Sequence, residues 1–153
     1  MRQIKRILVP IDGSKYSLKA ARYAIEVAKI QRSQVFCVHA IIRVPYGCFL
    51  DGYAAQLYLE DTMKQAKSWF GDIVEIARQK DVSNNNGYHI EVITDIFTSV
   101  KSIVEAIVNY ATDKNIDLVV IGTRGRSGIK RVLLGSIAKG VVQHANCPVL
   151  LVR

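Results

Sequence analysis

The chain has three cysteines, three prolines and one tryptophan in 153 residues. Cysteines at 37, 48 and 147 make no even set and no metal-ligand spacing with a histidine. That excludes a disulfide-stapled secreted fold and a zinc finger, and fits a reducing compartment. The apolar runs Leu118–Ile121 and Val149–Val152 fall far short of the ~20 residues a membrane span needs, and no signal-like apolar region follows Met1. Few prolines and ten glycines exclude collagenous or Pro/Gly-rich disordered chains. Two nucleotide signatures are also missing. There is no Gly-x-x-x-x-Gly-Lys-Ser/Thr, hence no P-loop lysine, and no Gly-x-Gly-x-x-Gly after the first apolar run, which argues against NAD.

What remains is ordinary globular material, half hydrophobic and 22% charged. A chain of this length buries roughly 68–70% of its unfolded surface and needs no staple. The expectation is one soluble, cytoplasmic domain over residues 1–153. The net charge of +8 is uneven: residues 1–33 carry +6, residues 34–117 carry −4, and residues 118–153 carry six basic groups and no carboxylate. Basic ends are either solvated faces or two halves of an anion site. No Lys/Arg-rich run, helix-turn-helix pattern or aromatic-and-basic strand motif points to nucleic acid.

The apolar, β-branched run Ile4–Ile11 ends at Asp12-Gly13-Ser14 and reads as strand then turn, with Ser14 or Asp12 capping a helix whose apolar residues are Leu18, Ala21, Ala24, Ile25 and Ala28. Gln34–Ile42 is a buried strand. Residues 43–54 read as a long irregular loop with Cys48 and, around it, Tyr46, Phe49, Tyr53 and Tyr58; these aromatics form a lid over a bound ligand, a partner surface or, as their commoner use, packing onto a sheet edge. A helix follows over 55–80, a strand over Tyr88–Thr94, a helix over 99–114, a strand over Asp117–Ile121, a helix over Ser136–Ala145, and a last strand over Pro148–Val152. Strands alternating with helices, and apolar on both faces, predict an α/β fold: one open parallel five-stranded sheet with helices on both sides.

Ligands of such sheets sit beyond the carboxyl ends of the strands. Pro10–Ser14, His39-Ala40 and Gly122-Thr123-Arg124-Gly125-Arg126-Ser127-Gly128 meet there. The glycines of the last segment admit positive φ or close approach of main-chain N–H groups. Arg124, Arg126, Lys130 and Arg131 add charge, and Gly135-Ser136 opens a helix whose free N–H groups and dipole favour phosphate. Each glycine taken singly is explained as a turn; a glycine-rich basic loop between a buried strand and a helix is better explained by phosphate.

The spacing Gly122-x2-Gly125-x9-Gly135-Ser136 resembles the signature of the ATP-binding branch of the universal stress proteins. The likeness extends over nearly the whole chain, through Ile7-Leu8-Val9-Pro10-Ile11-Asp12-Gly13-Ser14, Val38-His39-Ala40 and Cys147-Pro148-Val149-Leu150-Leu151-Val152. It implies a Rossmann-like fold of the adenine nucleotide alpha hydrolase type. It implies that Asp12 meets the adenine end beside Pro10 and Ile11, and that the main chain of Ala40 contacts the base. Gly122, Thr123, Arg124, Gly125, Arg126, Ser127 and Gly128 would hold ribose and phosphates, and Gly135, Ser136, Ile137 and Ala138 the phosphates. This sequence has Asp95-Ile96-Phe97-Thr98-Ser99 where the family often has a glycine after the third strand.

The expected ligand is ATP, or AMP or cyclic AMP, with Mg²⁺ brought by the phosphates. The expected role is a stress-response regulator or sensor; the alternative is a slow ATPase or another adenine-nucleotide hydrolase. No P-loop lysine or poised base suggests efficient turnover. Asp12 could be only a helix cap. His39 reads as a structural histidine, Cys37 and Cys147 as buried hydrophobes in strands, and Cys48 as the thiol to test. His89 and His144 have no metal-ligand spacing. A homodimer paired through strand 148–152 is expected, because a short apolar last strand at a sheet edge invites its own copy, and the resemblance implies the same.

Overall fold

A computed structural model describes residues 3–42, 52–82, 88–99, 101–126 and 134–153. Five strands, β1 (Arg6–Pro10), β2 (Gln34–Ile42), β3 (Val92–Ser99), β4 (Leu118–Gly122) and β5 (Val149–Val152), alternate with four helices, α1 (Lys15–Gln31), α2 (Gly52–Val82), α3 (Ile103–Asp113) and α4 (Ser136–His144). All strand pairs are parallel, in the order β3-β2-β1-β4-β5. The expected α/β architecture is therefore present.

Alternation along each strand divides the core in two. Ile7, Val9, Val35, Cys37 and Val120 face α1 and α2, meeting Ala20, Ala21, Ala24 and Ile25 of α1 and Phe70 and Ile73 of α2. Leu8, Phe36, Val38, Val119 and Ile121 face α3 and α4, meeting Ile107 and Ala111 of α3 and Ala138 and Val141 of α4. The alanine face of α1 lets that helix lie close to β4. Its start is capped by Ser14, whose Oγ accepts the Ser17 N–H at 3.1 Å, which selects Ser14 over Asp12 as the cap.

Some boundaries differ from the sequence reading. The third strand starts four residues later and ends five residues later than Tyr88–Thr94: β3 pairs with β2 from Val35↔Val92 to Ile42↔Ser99. An edge strand can expose Thr94, Asp95 and Thr98, so its polar residues concealed its length. Asp95–Ser99 is thus strand, and the following helix starts at Ile103 behind its cap Ser102 rather than at 99. α2 begins at Gly52 rather than 55. Residues 43–51 of the expected loop, with Tyr46, Cys48 and Phe49, lie outside the described residues. Tyr53 and Tyr58 are solvent-exposed on α2 rather than packed on the sheet edge. Cys147 precedes β5 instead of lying in it, and is half-buried.

Candidate functional site

β1 neighbours β2 on one side and β4 on the other, and the helices that follow β1 and β4 leave to opposite faces of the sheet. The crevice between them is the topological switch point, the place where such sheets take ligands. A cavity of about 420 Å³ opens there. The ends of β1 and β2 contribute Pro10, Ile11, Asp12 and Ala40; the glycine loop contributes Gly122, Arg124, Gly125 and Arg126; the start of α4 contributes Gly135, Ser136, Ile137 and Ala138. Ser127 and Gly128, like Lys130 and Arg131, lie outside the described residues. Thr123 is not on the cavity wall. Its N–H donates to Val152 O at 2.8 Å and its carbonyl accepts the Gly135 N–H at 2.7 Å, so it ties the end of β5 to the entry of α4. Its buried hydroxyl has no partner among the described residues.

Three local features shape the cavity. The first is a mismatch of strand lengths. β1 ends at Pro10, whereas β2 runs on to Ile42. The last rung between them is Ile11 N–H to Val38 O, 2.7 Å. Main-chain groups of alternate strand residues point the same way, so the N–H and C=O of Ala40 face the flank that β1 has left. The neighbouring walls, Val38, Ile41, Ile103 and Ile107, are apolar.

The second is the start of α4. Gly135 caps it with extended backbone (φ −67°, ψ 155°) and, being glycine, supplies no side-chain cap. The N–H groups of the first turn have no intrahelical acceptor, and they carry the positive end of the helix dipole.

The third is the glycine loop. Asp12 joins it to the β1–α1 turn: Oδ1 accepts the Ser14 N–H at 3.0 Å and Oδ2 the Arg126 N–H at 3.2 Å. Arg124 donates to the Tyr16 hydroxyl at 3.3 Å and lies over that ring, while the Arg126 guanidinium lies 5.8 Å from the Trp69 ring centre. The hydrogen bond from Arg124, with Lys15 nearby, lowers the Tyr16 phenol below its ordinary value. Of the two uses expected of these glycines, positive φ does not hold at Gly122 or Gly125. Among the described glycines only Gly13 has positive φ, 77°. Gly122 is demanded by the main chain of Tyr16, 2.7 Å from where a Cβ would stand, whereas a Cβ at Gly125 would meet only the side-chain oxygen Asp12 Oδ2, at 2.8 Å. Gly13 is doubly constrained, since a Cβ there would also run into the Trp69 indole.

Sequence reasoning passed over Trp69, Tyr16 and Thr62, and named Tyr58 only with the aromatics around the 43–54 loop. Tyr58 and Thr62 line the cavity from α2, Trp69 covers Gly13, and Tyr16 holds Arg124. Nothing in the spacing of α1 or α2 marks them, because they reach the site through helix packing. Among the described residues no group of three His, Cys, Asp or Glu could cage a metal, and no helix is long and apolar enough to cross a membrane.

The chain matches the family model of the universal stress protein family over residues 3–153. A universal stress protein of Methanocaldococcus jannaschii is 31% identical over 150 residues, spanning 97% of this chain and 82% of that one. Among solved structures, the universal stress protein UspA of Lactobacillus plantarum superposes with a TM-score of 0.83 at 25% identity, covering all of both chains. A universal stress protein of Archaeoglobus fulgidus solved in complex with dAMP gives 0.67 at 24% identity, over 99% of this chain and 100% of that one.

Proposed function

This chain belongs to the universal stress protein family, and from that premise we propose that it binds ATP or a related adenine nucleotide, AMP and cyclic AMP included, in the switch-point cavity. Occupancy then alters its choice of partner, so that it serves the cytoplasm as a stress-response regulator or sensor. The reading rests on one observation: a single cavity joins an apolar end with an open main-chain edge to a basic end built on a helix N-terminus. Adenine offers a donor and an acceptor side by side, the complement of the N–H and C=O of Ala40, and its faces suit apolar walls. The phosphates would run toward Gly122, Gly125 and the first turn of α4, with Arg124 and Arg126 supplying charge. The cavity volume of about 420 Å³ lies within the usual range for small-molecule sites. The Archaeoglobus neighbour with dAMP supports the same ligand class. Any Mg²⁺ would be held chiefly by the phosphates, with few protein ligands.

Binding rather than efficient turnover is the proposed activity, because the chain has no P-loop lysine. The proposal includes a homodimer paired through β5, an edge strand in this sheet. Calorimetry with ATP, ADP, AMP and cyclic AMP tests the ligand, with micromolar-scale binding expected for at least one. Mass spectrometry of whatever the denatured protein releases identifies the one retained. Failure of all four nucleotides to bind overturns the proposal.

A further inference from the structure

We infer that His39 is a positioning residue: its imidazole draws the carbonyl of Ile11 off the line of the ladder and so keeps the main-chain N–H of Ala40 open to the cavity. In a parallel ladder the rung after Ile11 N–H to Val38 O runs from the Ala40 N–H to the Ile11 carbonyl. That rung is not made. The Ile11 carbonyl instead lies 2.6 Å from His39 Nδ1. A carbonyl oxygen only accepts, so Nδ1 carries the hydrogen and donates. His39 is buried, and the Trp69 ring meets it edge to face with centroids 5.4 Å apart, which holds the imidazole over the end of β1. Without this bond the neighbouring strand would offer Ala40 an internal acceptor, and the β1–β2 ladder would close across the mouth of the cavity.

The inference deepens the proposed nucleotide site and rests on it for the ligand, whereas the state of the Ala40 amide is measurable without any ligand. The test uses full-length protein, wild type and the variants His39→Leu and His39→Asn. Leucine removes the donor; asparagine places an N–H donor near the Nδ1 position. In nucleotide-free protein the Ala40 amide, followed by NMR hydrogen exchange, is expected to exchange rapidly in wild type and in His39→Asn. It is expected to slow by about tenfold or more in His39→Leu as the missing rung forms. AMP titrated by calorimetry is expected to bind about tenfold or more weaker to His39→Leu and close to normally to His39→Asn. A protected Ala40 amide in the wild-type protein overturns the inference with no variant needed. So does an unchanged Ala40 exchange rate in a folded His39→Leu protein, or AMP affinity equal to wild type. If no nucleotide binds the wild type, the site reading fails alone, and the exchange rates still decide the role of His39.

Discussion

Replacing Gly122 by alanine sets a Cβ 2.7 Å from the carbonyl carbon of Tyr16 and 2.8 Å from its Cβ and carbonyl oxygen. Comfortable contact starts near 3.4 Å, so α1 and β4 must separate by about 0.7 Å. The obstacle is helix main chain, and the helix is seated on the sheet by Ala20, Ala21 and Ala24, all fully buried. Overpacking of this kind costs about 1–3 kcal/mol. For a chain of this size each kcal/mol lowers Tm by about 2–4 °C, so the expected fall is about 2–12 °C. Gly125→Ala is a different perturbation in the same motif. Its Cβ meets only Asp12 Oδ2, at 2.8 Å, the end of a side chain that can rotate away. Stability should change by no more than about 0.5 kcal/mol. The Arg126 N–H then loses its carboxylate acceptor, and nucleotide affinity is expected to fall. Thermal unfolding followed by circular dichroism without nucleotide, with urea titration as a second measure, separates the two. Equal Tm losses for both variants, or a Gly122→Ala protein within about 1 °C of wild type, would refute the packing argument.

Leu151→Pro is expected to convert the proposed dimer to monomer. The N–H groups of Val119 and Thr123 donate to the carbonyls of Pro148 and Val152, so alternation turns the N–H groups of Val149 and Leu151 outward, and a proline at either removes an outward donor without breaking the β4–β5 ladder. Light scattering reads the mass, and a wild-type monomer at micromolar concentration defeats the dimer. Tyr16 is expected to ionise below 10.0, because the Arg124 hydrogen bond favours the phenolate. Its folded pKa is depressed, so the phenolate's contribution to stability is complete above the unfolded value, is lost as pH falls through the folded one, and is absent at neutral pH. An ultraviolet titration in which the earliest tyrosine survives in Tyr16→Phe contradicts this. Burial pushes the Cys37 thiol up to about 12, so a disulfide reagent at pH 8 should leave Cys37 unmodified until the protein unfolds. Mass mapping showing its modification at the rate of a free thiol would reverse that assignment.

Much of this fold is written in local pattern. The continuous apolar runs at Gln34–Ile42 and 118–121 read as strands buried on both faces, as they are, and the turn after the first run offered Ser14 or Asp12 as a helix cap, between which only the structure chose. The glycine spacing and the basic, carboxylate-free end were equally legible, since composition and spacing survive without coordinates. β3 was misplaced because an edge strand needs only one protected flank, so its polar Thr94, Asp95 and Thr98 carry no burial signal. The reason for Gly122 was also invisible: the atom that forbids a side chain there belongs to Tyr16, more than a hundred residues earlier. The same holds for Trp69 over Gly13 and for His39 against the Ile11 carbonyl. Periodic burial is a property of neighbouring residues in the chain. Inside a sheet, an unpaired main-chain edge arises only where one strand outlasts its neighbour, and the order β3-β2-β1-β4-β5 decided which two.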